Sequence, residues 1–124
     1  MRSRLPVSTD VITKAIAAHG QWKQRLRDAA ATGKSDFRPE VVKTDNACDL
    51  GKWIYSEAKV QMPGHPGVEE VRRLHAEFHQ EAAKVLSLAL LGKRAEAEAA
   101  MAMGSPYSKV STALVNALKK LQAA

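Results

Sequence analysis

Three histidines and one cysteine carry most of the chemistry this chain can offer. His75 and His79 are four apart in the stretch His75-Ala-Glu-Phe-His79. In a helix, at ~100° per residue, that spacing puts both imidazoles on one face, one turn apart. Val68, Val71, Ala82, Leu86 and Ala89 share the face, so both rings point toward an apolar interior. Buried ring nitrogens need partners. A shared metal ion can supply one, and a neighbouring hydroxyl or carbonyl can supply another; the pair alone does not decide between them. His19 repeats the situation earlier in the chain, in the middle of the stripe Ile12, Ile16, Trp22, Leu26 and Ala30. Cys48 is the single cysteine. It excludes an intrachain disulfide and leaves a packed thiol, a reactive thiol or a metal ligand.

The elements that must position these residues read as helices. Ser8-Thr9-Asp10 offers N-cap oxygens to a helix running to about Thr32 and stopped by Gly33. Gly20 within it leaves room for another backbone to approach. Residues 34–43 read as a connection with a short turn. A second, shorter helix is expected from about Thr44 to Ala58, with Cys48 at one edge of an apolar arc made by Ala47, Leu50, Gly51, Trp53, Ile54 and Tyr55. Met62-Pro63-Gly64-His65-Pro66-Gly67 is a loop signal, with His65 as a solvated loop residue. A long third helix follows from Val68 to about Leu91. Arg94 to Met103 is rich in Ala and Glu and helix-forming. Gly104-Ser105-Pro106 then ends or kinks one helix and starts another, whose stripe is Tyr107, Val110, Leu114, Leu118 and Leu121.

No period-two alternation occurs. The expected fold is all-α: an antiparallel four-helix bundle with a break or kink in its C-terminal region near Gly104-Pro106. Residues 1–7 are expected to be a flexible arm, and residues 8–124 a single bundle domain.

Composition narrows the function classes. The chain has 124 residues, 45% of them hydrophobic and 26% charged, which suits one ordinary globular domain. No stretch approaches the ~20 apolar residues of a membrane span, and the N-terminus lacks the apolar core of a secretory signal. A cytoplasmic location is therefore expected. The net charge of +6 invites nucleic acid as a partner. However, Lys and Arg are interleaved with acids throughout, and two Trp, two Tyr and two Phe are too few for a base-stacking platform. Neither nucleic-acid binding nor membrane insertion is expected.

Three core-facing histidines and a cysteine on three different helices suggest a metal centre in a bundle core. Three His and one Cys give nitrogen and sulfur donors suited to tetrahedral Zn²⁺, and they close its coordination shell. A closed shell favours a structural or sensory ion over a hydrolytic one. Separate burial of each residue remains an alternative, with Cys48 as a small hydrophobe. Two enzymatic metal sites fail on residue type. A zincin needs His-Glu-x-x-His, whereas Glu77 lies ~200° around the helix from both histidines. A di-iron carboxylate bundle needs repeated Glu-x-x-His, which neither histidine has. A hemerythrin-like site would need a further His and bridging carboxylates.

His19-x-x-Trp22, Cys48-x-Leu50-Gly51-x-Trp53 and His75-x-x-x-His79, in that order and at these gaps, resemble the motif set of the chemoreceptor zinc-binding (CZB) domain. The likeness runs from about Asp10 to Lys120. It implies zinc held by His19, Cys48, His75 and His79, with Trp22, Leu50, Gly51 and Trp53 supporting the packing. It also implies a non-enzymatic, cytoplasmic sensory domain that acts as a homodimer beside a signalling output module of chemotaxis or cyclic-di-GMP type. Zinc occupancy or oxidation of Cys48 would be the signal. The alternative is a bundle that zinc only stabilises, serving as an interaction or dimerisation module.

Overall fold

The computed structural model describes residues 9–44, 48–56, 58, 60 and 63–123. The expected N-terminal arm lies outside these residues, as do positions 45–47 and 57 of the expected second helix. Helices with described bounds are α1 (Thr9–Thr32), α2 (Pro39–Val42), α3 (Asp49–Ile54), α4 (Pro66–Leu90), α5 (Arg94–Met101) and α6 (Pro106–Ala123); Ala58 and Val60 are helical as well. No strand occurs among the described residues. The fold is an all-α bundle, as the hydrophobic periodicity requires.

Helix α4 is the axis of the molecule. It packs against α1, α2, α3, α5 and α6, while α1 also meets α3, α5 and α6. Its buried residues recur at three- and four-residue steps from Val68 through Val71, Leu74, His75, Phe78, His79 and Ala82 to Leu86 and Ala89. The long helices interlock through Ile12 and Leu26 of α1, Phe78, Val85 and Leu86 of α4, and Leu114 and Leu118 of α6, all essentially without solvent exposure. Full burial of each such side chain contributes about 1.5–3 kcal/mol, and this core runs on past the histidines in both directions. No helix among the described residues is long and apolar enough to cross a membrane.

The ends of the long helices follow local rules. Gly33 closes α1 with φ +74°, and its N–H donates to the Ala29 carbonyl at 2.7 Å; a side chain there would strain the left-handed backbone. Between α5 and α6 the chain turns through Gly104 at φ +87°. The Ser105 hydroxyl oxygen then accepts from the Ser108 N–H at 3.2 Å, with Pro106 opening α6. This is the C-terminal break expected from Gly104-Ser105-Pro106.

Two local expectations are corrected, those for the second helix and Gly20, and two are refined. The second helix is shorter than its apolar arc suggests: it starts only at Asp49, and Cys48 sits before it as the N-cap, in extended conformation (φ −83°, ψ 164°). The connection over 34–43 contains a full turn of helix, α2, begun by Pro39. Gly20 meets nothing: a Cβ built on it has no neighbour within 4 Å, so it faces solvent rather than a second backbone. His65 is in the loop but only partly exposed. It caps α4, its Nδ1 accepting from the Gly67 and Val68 N–H groups at 3.0 and 3.4 Å, which satisfies donors a helix start otherwise leaves open.

Candidate metal centre

His75 and His79 reach the site from the middle of α4, where Leu74, Phe78 and Ala82 fix the backbone by burial. The two rings lie edge to face with centroids 4.4 Å apart, and their Nε2 atoms are separated by 2.9 Å. Cys48 approaches from the other side. Its Sγ lies 3.1 Å from His75 Nε2 and 3.6 Å from His79 Nε2. Three donor atoms from two elements thus converge, all within 4.8 Å of one another. Both histidines are buried and Cys48 is half-buried.

Hydrogen bonds around the cluster orient the donors. His79 Nδ1–H donates to the Val42 carbonyl at 2.8 Å. A carbonyl only accepts, so Nδ1 carries a proton, and Nε2 is the nitrogen turned toward the cysteine and His75. The N-cap position of Cys48 turns Sγ back over the first turn of α3, where the Gly51 N–H donates to it at 3.4 Å. That donor offsets negative charge on a metal-bound sulfur. Gly51 and Leu50 are buried, and Trp53 is a core residue that seats α3.

The donor set fits a metal. Zn–N bonds of ~2.0–2.1 Å and a Zn–S bond of ~2.3 Å place donors roughly 3.3–3.6 Å apart on a tetrahedron. The observed triangle of 2.9, 3.1 and 3.6 Å is that face, drawn in by a few tenths of an ångström. Two nitrogens and a sulfur this close need protons or a cation between them. Ion binding displaces those protons.

His19 is placed differently. It is buried on α1 (8% exposed), with its ring against Phe78 at a centroid distance of 4.2 Å. It lines the same cavity of about 540 Å³ as Cys48, His75 and His79. It is not one of the three mutually close donors; its Nε2 instead shares a 2.5 Å hydrogen bond with the Ser111 hydroxyl on α6. Burial first, and the nearby His79 second, lower its pKa from the usual 6.5 to about 4, so the ring is neutral near pH 7 and keeps a lone pair. Trp22, one helical turn below, is at the cavity rim. Its ring meets Phe37 at 5.0 Å, and the Arg25 guanidinium lies over both. Glu77 points away from the site, pairing with Arg73 at 2.7 Å on the exposed face.

Three parts of this arrangement escape sequence reasoning. The Val42 carbonyl is a backbone atom on a segment read as a connection, so no side-chain pattern marks it. The capping role of Cys48 is hidden because cysteine is not among the preferred N-cap residues. Ser111 left a usable signal. It falls four residues after Tyr107 and three before Leu114, a polar residue on a buried stripe.

Comparison with curated proteins and with solved structures found no match. The family model described as "Chemoreceptor zinc-binding domain" matches residues 19–86, more than half of the 124 residues. That span opens on His19 and contains Cys48, His75 and His79. The chain belongs to the chemoreceptor zinc-binding domain family.

Proposed function

We propose that this protein is a sensory zinc-binding module that performs no catalysis. One Zn²⁺ is held by Cys48, His75 and His79, with His19 as the fourth donor. The observation that carries the reading is the convergence of one sulfur and two imidazole nitrogens, within 3.6 Å of one another, on the wall of a cavity that also contains His19. The soft thiolate and the imidazoles favour zinc over hard oxygen-seeking cations.

How the fold is held supports the sensory role. The apolar core of α1, α4 and α6 extends beyond the donors to Ile12, Leu26, Leu86 and Leu118, which supports a bundle that stays folded without the ion. Zinc then links α1, the N-cap of α3 and α4, and its binding energy acts on their relative placement. Cys48 is the half-buried member of the set. Oxidation of its sulfur removes one donor and loosens the ion. The output is read by a signalling partner or adjoining module, with the protein acting as a cytoplasmic homodimer, as the family resemblance implies.

The decisive measurement is elemental analysis of the untagged protein beside Cys48→Ala and His79→Ala. About one zinc per chain in the wild type, lost or weakened on the order of 100-fold in both variants, is expected from a binding energy of roughly 10–16 kcal/mol shared among four ligands. Wild-type protein that stays metal-free after reconstitution under reducing conditions would sink the reading. Chelation then separates a sensor from a purely structural site. Circular dichroism of the zinc-stripped protein should retain its helical signal; loss of that signal would make the zinc structural.

A further inference from the structure

His19 is in the metal cavity but outside the metal cluster, and the structure shows what it is bound to. Its Nε2 shares a 2.5 Å hydrogen bond with Ser111, which joins α1 to α6 across the bundle. Ser111 lies on the buried stripe of α6, between Tyr107 and Leu114. The other outward bond of the site behaves differently. His79 donates to Val42 through Nδ1 and faces the cluster with Nε2; the outer bond and ligation use opposite edges of the ring. His75 also faces the cluster with Nε2. In His19 the occupied atom is Nε2 itself, among the ring atoms furthest from the backbone, and so a nitrogen with the reach to join the other three donors.

We infer that Ser111 is a competing partner for the donor nitrogen of His19, so that metal entry exchanges an α1–α6 hydrogen bond for a link from α1 to α3 and α4. The inference rests on the proposed reading of His19 as the fourth donor. The exchange is balanced: His19 gives up one bond and gains one, and Ser111 is released to a water or to the backbone carbonyl of its own helix. Its consequence is directional. The C-terminal helix loses a fixed point on α1 when the ion binds, which makes α6 the element that reports occupancy. Ser111 is a positioning residue in this scheme; it touches His19 and not the ion.

The test compares zinc affinity of the full chain, by competition with a chelating dye, for wild type, Ser111→Ala and Ser111→Thr. Removing the competitor should tighten binding by about 3- to 10-fold, the worth of a net hydrogen bond in a partly buried setting. Ser111→Thr keeps the hydroxyl and should bind like wild type. The ring-nitrogen NMR signals of His19 in the metal-free protein should shift in Ser111→Ala and not in Ser111→Thr. Affinity that is unchanged or weakened in Ser111→Ala overturns the competition. Weakening would mean that Ser111 supports a bound His19 instead of holding it back. A parallel His19→Ala variant keeps the two claims apart, with Co²⁺ as the spectroscopic probe. If it leaves affinity and the tetrahedral cobalt spectrum unchanged, the four-donor reading fails and the competition fails with it. If it weakens binding while Ser111→Ala does not tighten it, only the competition fails.

Discussion

The two sides of the donor cluster are held in opposite ways. His75 and His79 stand on α4, a helix of 25 residues against which α1, α2, α3, α5 and α6 all pack. Cys48 stands at the start of a six-residue helix, and the carbonyl that orients His79 comes from a four-residue one. Isolated helices this short are far below the length that is stable in water, so α2 and α3 owe their shape to contacts with α1 and α4. One side of the site is therefore part of the core. The other is a thin segment laid over it. A site built this way can keep two donors in place while the third comes and goes, which is what reversible binding needs.

Phe78→Ala tests the core side hardest. The ring is 2% exposed and touches the rings of His19, His79 and Tyr107, with centroids 4.2, 5.8 and 5.5 Å away. Truncating a buried Phe costs about 3–5 kcal/mol, a large part of the stability of a domain this size. Urea unfolding of the metal-free protein should show that loss. Cys48→Ala, on the thin side, should change metal-free stability by less than ~1 kcal/mol while still removing a candidate metal donor. Equal losses in the two variants would break the comparison, because Cys48 would then be part of the core as well.

How far each side could be read from sequence follows the same division. The α4 stripe is legible because one long helix repeats a 3.6-residue period many times. His75, His79 and the apolar residues around them land on the buried face with no tertiary information. The same holds for Leu26 on α1 and for Leu114 and Leu118 on α6. Around Cys48 the period is sampled for only about two and a half turns, and an apolar arc that short fits a long helix and a capped short one equally well. Gly20 misled for a related reason, since glycine states what a backbone can do and not what lies beside it. Ser111 stood out only as a polar residue on the α6 stripe and Val42 not at all, because their roles are set by α6 and α2 packing on residues far away in sequence.

Tyr107 sharpens the picture of the core side by a smaller amount. Its ring packs on Phe78, and its hydroxyl is buried with no hydrogen-bond partner among the described residues. Burial pushes its pKa from 10 up to about 12, against a weaker opposite pull from Arg27. The sign follows from which state releases the proton first. Below pH 10 both folded and unfolded chains keep it. Above pH 10 the unfolded chain loses it and the folded chain does not until about pH 12, so stability falls across that window by up to about 3 kcal/mol. Tyr107→Phe should remove this share of the alkaline loss. Near pH 7 it should be neutral or stabilising by about 1 kcal/mol, since no hydrogen bond is given up. Urea midpoints of both proteins at pH 7 and pH 11 measure the difference. Parallel alkaline losses would show that the hydroxyl is solvated.

The smallest effect belongs to the residue nearest the site in sequence and facing away from it. Glu77 lies between the two histidines, and in a zincin-like arrangement an acid in this stretch would be the general base. Here it is half-exposed and paired with Arg73 at i−4. Exposed pairs of this spacing contribute about 0.2–0.5 kcal/mol, and the Arg-before-Glu order is the weaker one. Glu77→Gln should therefore lower the thermal midpoint only slightly, with zinc content and affinity equal to wild type. If that substitution instead changed zinc affinity several-fold, the carboxylate would have to reach the ion. The outward face of α4 would then turn inward, and the division between a core side that holds and a thin side that yields would have to be redrawn.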